Sequence, residues 1–172
     1  TFIEAFSEVV LQESANRIAV LSIDPSSPIT GGSILGDKTR MERLSIDDRA
    51  FIRPTPAGNH LGGVARATAL GVQLCEAAGY NIIFIETVGV GQSEVEVHGM
   101  TDFFLLLMLA GAGDQLQGIK RGIMELTDAM IITKADGENK TRADHAKAEY
   151  ASALHLFPER DDGWVPKVFS VS

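Results

Sequence analysis

Side chains able to do chemistry gather where apolar runs of this sequence end. TKAD, Thr133 to Asp136, follows the run Ala129 to Ile132. An ionised carboxylate at Asp136 can accept two hydrogen bonds, from the N1–H and the 2-amino group of guanine. Adenine offers no such pair and would leave the carboxylate under-satisfied, at about 1–3 kcal/mol. Lys134 can lay its aliphatic stem over the base. The alternative for these four residues is a solvated loop after a strand. Glu86 closes a second run, Ile82 to Ile85, and leads into Thr87, Gly89, Gly91, Gln92 and Ser93. A glycine-flexible loop carrying those side chains suits phosphate sensing. Asp24 closes a third run, Arg17 to Ile23. Magnesium is usually held through one or two carboxylates plus phosphate oxygens and water. Two acids ending neighbouring parallel strands would provide that arrangement. A turn or cap role before Pro25 is the other reading of Asp24.

Further candidates lie in glycine-rich loops. Asp37 stands in GGSILGDKTR, where a loop meets a helix start, and could cap that helix or reach a metal or attacking water. Asp114 and Lys120 belong to GAGDQLQGIK, either a capped surface helix or a segment built to move. Gly118 and Gly122 in that helix each lower its intrinsic stability by about 1 kcal/mol relative to alanine. His60, His98, His145 and His155 lack metal-ligand spacing. Arg53, Arg66 and Arg121 could reach phosphates, but read better as solvated surface side chains.

The elements positioning these residues alternate along the chain. Helical periodicity covers about Thr1 to Ser14 with no cap residue before it, then Arg17 to Asp24 reads as a buried strand. A short helix at DKTRMERLS precedes a strand, Ala50 to Pro54, closed by proline. A helix from about Val64 to Ala78 stops at Gly79, before the strand Asn81 to Glu86. Asp102 to Leu109 is a strand whose core, FFLLLMLA, has a length suited to a central position. LQGIKRGIMELT reads as a helix, DAMIITKAD as strand then loop, Arg142 to Phe157 as a helix and Pro166 to Val171 as a strand. GENKTR and PERDDGW are polar connectors. This alternation predicts an α/β fold with a doubly wound, mainly parallel sheet.

The 172 residues fit one domain, with 45% apolar and 22% charged side chains. A net charge of −8 argues against general nucleic-acid binding or an anionic membrane surface. It also means that phosphates need a local cation or a metal ion. The single cysteine, Cys75, excludes an intrachain disulfide and a cysteine-rich zinc site and points to a reducing compartment. On its apolar helical pattern it reads as buried packing. No apolar run approaches the roughly 18 residues of a membrane span. With no initiator Met, and ends in mid-element, the sequence reads as part of a longer protein.

Several long blocks carry a resemblance. VLSIDPSSPITGGSILGDKTRMERL, HLGGVAR, LCEAAGYNIIFIETVGVGQSEVEV, DFFLLLMLAGAGDQLQGIKRGIME and ITKADG resemble the methylmalonyl-CoA mutase-associated GTPases, from Thr1 to about Leu156. These are G-protein chaperones of the adenosylcobalamin-dependent mutase, within the signal-recognition-particle-like class of P-loop NTPases. The resemblance implies that Asp24 is a magnesium-associated carboxylate. It implies that Asp37 lies in switch I as a metal-associated or water-orienting acid. Glu86, with Thr87 to Gln92 and so Gly89, would form switch II and read the γ-phosphate. Asp114 to Lys120 would form a third switch through which nucleotide state and mutase communicate, with Lys120 among the catalytic residues. Thr133, Lys134 and Asp136 would select guanine, threonine replacing the family's usual asparagine. Thr1 would place a hydroxyl near the α-phosphate.

The family pattern also contains a P-loop, GxxxxGK[ST], and its strand, which this sequence lacks; both should precede Thr1. A serine-alanine base-contacting motif and a dimerising extension should follow Ser172. The expectation is the middle of a GTPase domain. As it stands, the chain should bind nucleotide poorly; the full-length protein should be a homodimer hydrolysing GTP to GDP with Mg2+. A cytoplasmic location, or the mitochondrial matrix in a eukaryote, would follow. A transport-linked ATPase or kinase for basic amino acids, and a non-catalytic mutase-binding module, are the rival readings.

Overall fold

The structure, a computed structural model, describes residues 1–25, 40–57, 61–87, 94–109, 121–158, 160 and 162–172. They group into two compact units, Thr1–Val97 and His98–Ser172.

The first unit contains helix α1 (Phe2–Val10), strand β1 (Ile18–Pro25), helix α2 (Glu42–Ser45), strand β2 (Ala50–Ala57), helix α3 (Leu61–Ala77), strand β3 (Ile82–Thr87) and helix α4 (Glu94–His98). Its three strands pair in parallel in the order β2-β1-β3. The central strand is apolar on both faces because helices cover both. Ile18 and Val20 pack with Leu11, Met41, Leu44 and Ile52, while Ala19 and Leu21 pack with Cys75 of α3. This is the doubly wound pattern that the sequence predicts.

Local chemistry sets the element ends. Thr1 itself caps α1, its hydroxyl accepting from the Glu4 N–H at 3.2 Å, so the helix has the cap the sequence reading did not assign. Strand β2 runs on through Pro54 and Pro56 rather than closing at the first proline. Among the described residues it pairs with β1 alone, and an edge strand tolerates residues that cannot donate on the outer side. Gly79 ends the α3 turn at φ +82. There the Arg17 guanidinium donates to the Ala78 carbonyl at 2.8 Å and lies 4.5 Å from the Tyr80 ring centroid, fastening the start of β1 to the approach to β3.

The second unit holds strand β4 (Leu105–Leu109), helix α5 (Arg121–Leu126), strand β5 (Ala129–Thr133), a 3₁₀ turn (Gly137–Asn139), helix α6 (Lys140–Leu154) and strand β6 (Lys167–Ser170). The strands are again parallel, in the order β4-β5-β6. Met130 and Ile132 of β5 pack with Met108, Met124, Ala143, Tyr150 and Leu154. The LLLML run is an edge of this sheet and not its centre, leaving Leu107 42% and Leu109 50% exposed. Strand β4 starts at Leu105, later than the apolar pattern suggests. The Phe104 N–H is taken by the Asp128 carboxylate at 2.6 Å, outside the ladder. The connector PERDDGW is pinned to the same carboxylate and its neighbourhood. Arg160 pairs with Asp128, and the Trp164 indole donates to the Asp128 carbonyl at 2.9 Å. GENKTR is no open connector either, since its 3₁₀ turn feeds directly into α6. Among the described residues, no helix is long and apolar enough to cross a membrane.

Candidate functional site

The first unit brings strand-end acids onto neighbouring strands. Glu86 sits one residue before the end of β3, in register with Ser22 of β1. Its carboxylate accepts a hydrogen bond from the Ser22 hydroxyl at 3.2 Å. Ser22 is fully buried and Glu86 half-buried. Asp24 lies two positions beyond Ser22 along β1, so the backbones carrying the two acids run side by side as the sequence reading requires. In open α/β sheets ligands bind beyond the carboxyl ends of the strands. Among the described residues there is no group of three or more His, Cys, Asp or Glu able to hold a metal by themselves. Two carboxylates at strand ends fit the oxygen chemistry of magnesium, which takes its remaining ligands from phosphates and water.

The second unit presents TKAD as a braced turn at the end of β5. The Thr133 hydroxyl donates to the Met108 carbonyl of β4 at 2.9 Å. On the other side, the Ala135 N–H donates to the Val171 carbonyl at 3.0 Å, and the Val171 N–H to the Ile132 carbonyl at 2.9 Å. Between these two anchors Lys134 adopts φ +56, a left-handed conformation costing a non-glycine residue about 1–3 kcal/mol. Such backbone strain persists where the surroundings over-determine it and clusters at functional sites. Asp136 follows in extended conformation, φ −120 and ψ 172, exposed. It occupies the cap position of the 3₁₀ turn, yet its side chain makes no capping hydrogen bond. The carboxylate is therefore not consumed by local structure.

Thr1, the remaining described candidate, uses its hydroxyl as the α1 cap. Asp37, Gly89, Asp114 and Lys120 lie outside the described residues. Cys75 behaves as packing, 5% exposed, with burial pushing its thiol pKa up and Arg53 acting weakly the other way. Two contributors escaped the sequence reading. Ser22 had a visible signal, a lone hydroxyl inside an apolar strand. Val171 had none, because its role is played by backbone atoms.

A family model for MeaB, methylmalonyl Co-A mutase-associated GTPase, matches residues 1–172. The chain belongs to that family. Among curated relatives it is 51% identical to GTPase ArgK of Escherichia coli over 172 residues, all of this chain and 52% of that protein. It is 54% identical to the mitochondrial methylmalonic aciduria type A homolog of Mus musculus, again over the whole chain but 41% of the relative. The chain thus spans about half the length of the curated relatives it matches. A solved LAO/AO transport system kinase superposes with a TM-score of 0.77 at 38% identity, covering 98% of this chain and 47% of that one. HypB from Helicobacter pylori, solved with nickel, matches with a TM-score of 0.59 at 16% identity over 97% of this chain and 72% of that one, a likeness of fold alone.

Proposed function

We propose that the full-length protein is a GTPase, hydrolysing GTP to GDP and phosphate, and a G-protein chaperone of an adenosylcobalamin-dependent methylmalonyl-CoA mutase. The observation that carries the reading is the TKAD turn, in which an exposed carboxylate, free of any capping role, follows a residue held at positive φ. That geometry leaves Asp136 available to two adjacent donors on one edge of guanine, with Lys134 beside the base. Thr133 braces the turn from β4. At the strand ends of the first unit, Asp24 and Glu86 would hold magnesium, joined by Asp37. Magnesium bound with the phosphates neutralises charge developing on the transferring phosphoryl group. Glu86 leads, through Thr87 and Gly89, into the segment that would read the γ-phosphate. Asp37 or Glu86 would orient the water that attacks in line, breaking the bond to the β-phosphate oxygen and releasing GDP. Thr1 would stand near the α-phosphate, and Asp114 to Lys120 would carry nucleotide state to the mutase. On this reading the chain is the central part of one GTPase domain, the full-length protein is a homodimer, and hydrolysis gates cofactor loading and rescue of the mutase. A cytoplasmic location, or the mitochondrial matrix in a eukaryote, goes with this reading; the Mus musculus relative is named as mitochondrial.

The test uses full-length protein with and without mutase. Glu86→Ala and Asp37→Ala should each lower GTP hydrolysis at least tenfold, and mutase should accelerate the wild type. Unchanged hydrolysis in both variants would sink the switch assignments. The name LAO/AO transport system kinase, borne by a solved relative, motivates a second reading as a transport-linked kinase or ATPase. Tighter binding of ATP than of GTP would favour it.

A further inference from the structure

We propose that Ser22 is a positioning residue for Glu86, holding the carboxylate in the orientation from which it distinguishes GTP from GDP. This rests on the reading of Glu86 as the acid that would share in holding magnesium and opens the segment reading the γ-phosphate. Every other residue from Ile18 to Ile23 is apolar, and Ser22 is fully buried among them. A buried hydroxyl is costly unless it is hydrogen-bonded. In the middle of a three-stranded ladder the backbone groups around it serve β2 and β3. Its hydroxyl donates instead to the side chain of its register partner, Glu86, at 3.2 Å. Residues in register on parallel strands share a face of the sheet, so a short serine and a long glutamate can meet there. A glutamate has several rotatable bonds, and one charge-assisted hydrogen bond to a buried donor removes much of that freedom. The bond ties the carboxylate across to β1, one residue before β3 ends. Ser22 itself is too deeply buried to touch a ligand, so its influence runs through Glu86.

The experiment uses full-length protein carrying Ser22→Ala, Glu86→Gln, or both, with Ser22→Cys as a second, nearly isosteric variant. Fluorescent GDP and a non-hydrolysable GTP analogue are titrated with Mg2+ present, and single-turnover GTP hydrolysis is followed in parallel. Ser22→Ala should weaken the GTP analogue by about tenfold, the scale of one hydrogen bond to a charged group, and GDP by clearly less, because the magnesium that Glu86 would help to hold accompanies both nucleotides. Hydrolysis should slow by a similar factor, and Ser22→Cys should fall between. Adding Ser22→Ala to Glu86→Gln should change neither readout further, since the two residues act as one unit. Ser22→Ala and Ser22→Cys that both keep the wild-type preference for the GTP analogue would overturn the proposal. So would an undiminished effect of Ser22→Ala in the Glu86→Gln background. If Glu86→Gln alone leaves both readouts intact, the reading of Glu86 fails and this proposal with it.

Discussion

Replacing Asp136 by asparagine separates recognition from folding. Asp136 is exposed, its backbone is extended, and its carboxylate makes no capping bond. Asparagine is nearly isosteric and compatible with that conformation, so its effect on stability should stay within about 0.5 kcal/mol, as for most surface substitutions. Base recognition responds differently. Aspartate accepts from both the N1–H and the 2-amino group of guanine. The asparagine carbonyl accepts one of these, while its own NH2 opposes the other, donor against donor. Losing one charge-assisted hydrogen bond and weakening the second amounts to about 2–4 kcal/mol. That corresponds to roughly 30–1,000-fold weaker GDP binding. Xanthine carries a carbonyl where guanine has the 2-amino group, so the variant should gain affinity for xanthosine diphosphate. Calorimetric titration of full-length protein with both nucleotides, beside a urea unfolding curve, supplies the whole comparison. A GDP affinity within threefold of wild type would refute the reasoning, as would a loss matched by an equal fall in stability.

Two further outcomes follow from the fold. Asp128→Ala removes the acceptor of the Phe104 N–H and the partner of Arg160, both in partly buried surroundings, and should destabilise the protein by about 2–4 kcal/mol. Arg160→Ala should cost less, because Phe104 keeps its acceptor; equal urea midpoints for Asp128→Ala and wild type would contradict the arrangement. Cys75, whose thiol pKa is raised by burial, should react with a thiol reagent at pH 8 only as fast as the protein opens. Because the folded pKa lies above the unfolded value of about 8.5, its contribution is complete below that pH and declines as pH rises past it. Cys75→Ala should flatten that part of the urea-midpoint profile, whereas rapid stoichiometric labelling of native protein would show the thiol to be accessible.

Strand positions were legible because continuous apolar runs in a parallel sheet leave few other readings, and β1, β3 and β5 fall within a residue or two of them. Boundaries decided by one hydrogen bond were not. Strand β4 loses its first residues to the Asp128 carboxylate, 24 positions away in sequence. Strand β2 continues through two prolines because it is an edge, and edge status depends on topology that no local pattern states. The place of TKAD at a strand end could be read from residue types alone. Its bracing by Met108 and Val171 could not, since both partners contribute carbonyl oxygens that every residue possesses. Thr1 and Cys75 mark opposite cases, one capping a helix expected to lack a cap, the other packed as its apolar neighbours imply.

In each unit the residue expected to meet a ligand is steadied by a polar contact from the adjoining strand. Ser22 of β1 holds Glu86 of β3, and Thr133 of β5 reaches the Met108 carbonyl of β4. A side chain on a loop inherits the loop's freedom, whereas one tied to the next strand inherits the rigidity of the ladder. Catalytic geometry tolerates displacements of only about 0.5 Å, so the tie matters as much as the functional group it orients. Both ties use a hydroxyl at or near the carboxyl end of a strand, the place where an apolar run must give way to polar chemistry. A lone serine or threonine within the last few residues of a buried parallel strand is thus a sequence signal in its own right. In Ser22 it points to the neighbouring strand-end acid, and in Thr133 to the turn that its own strand carries.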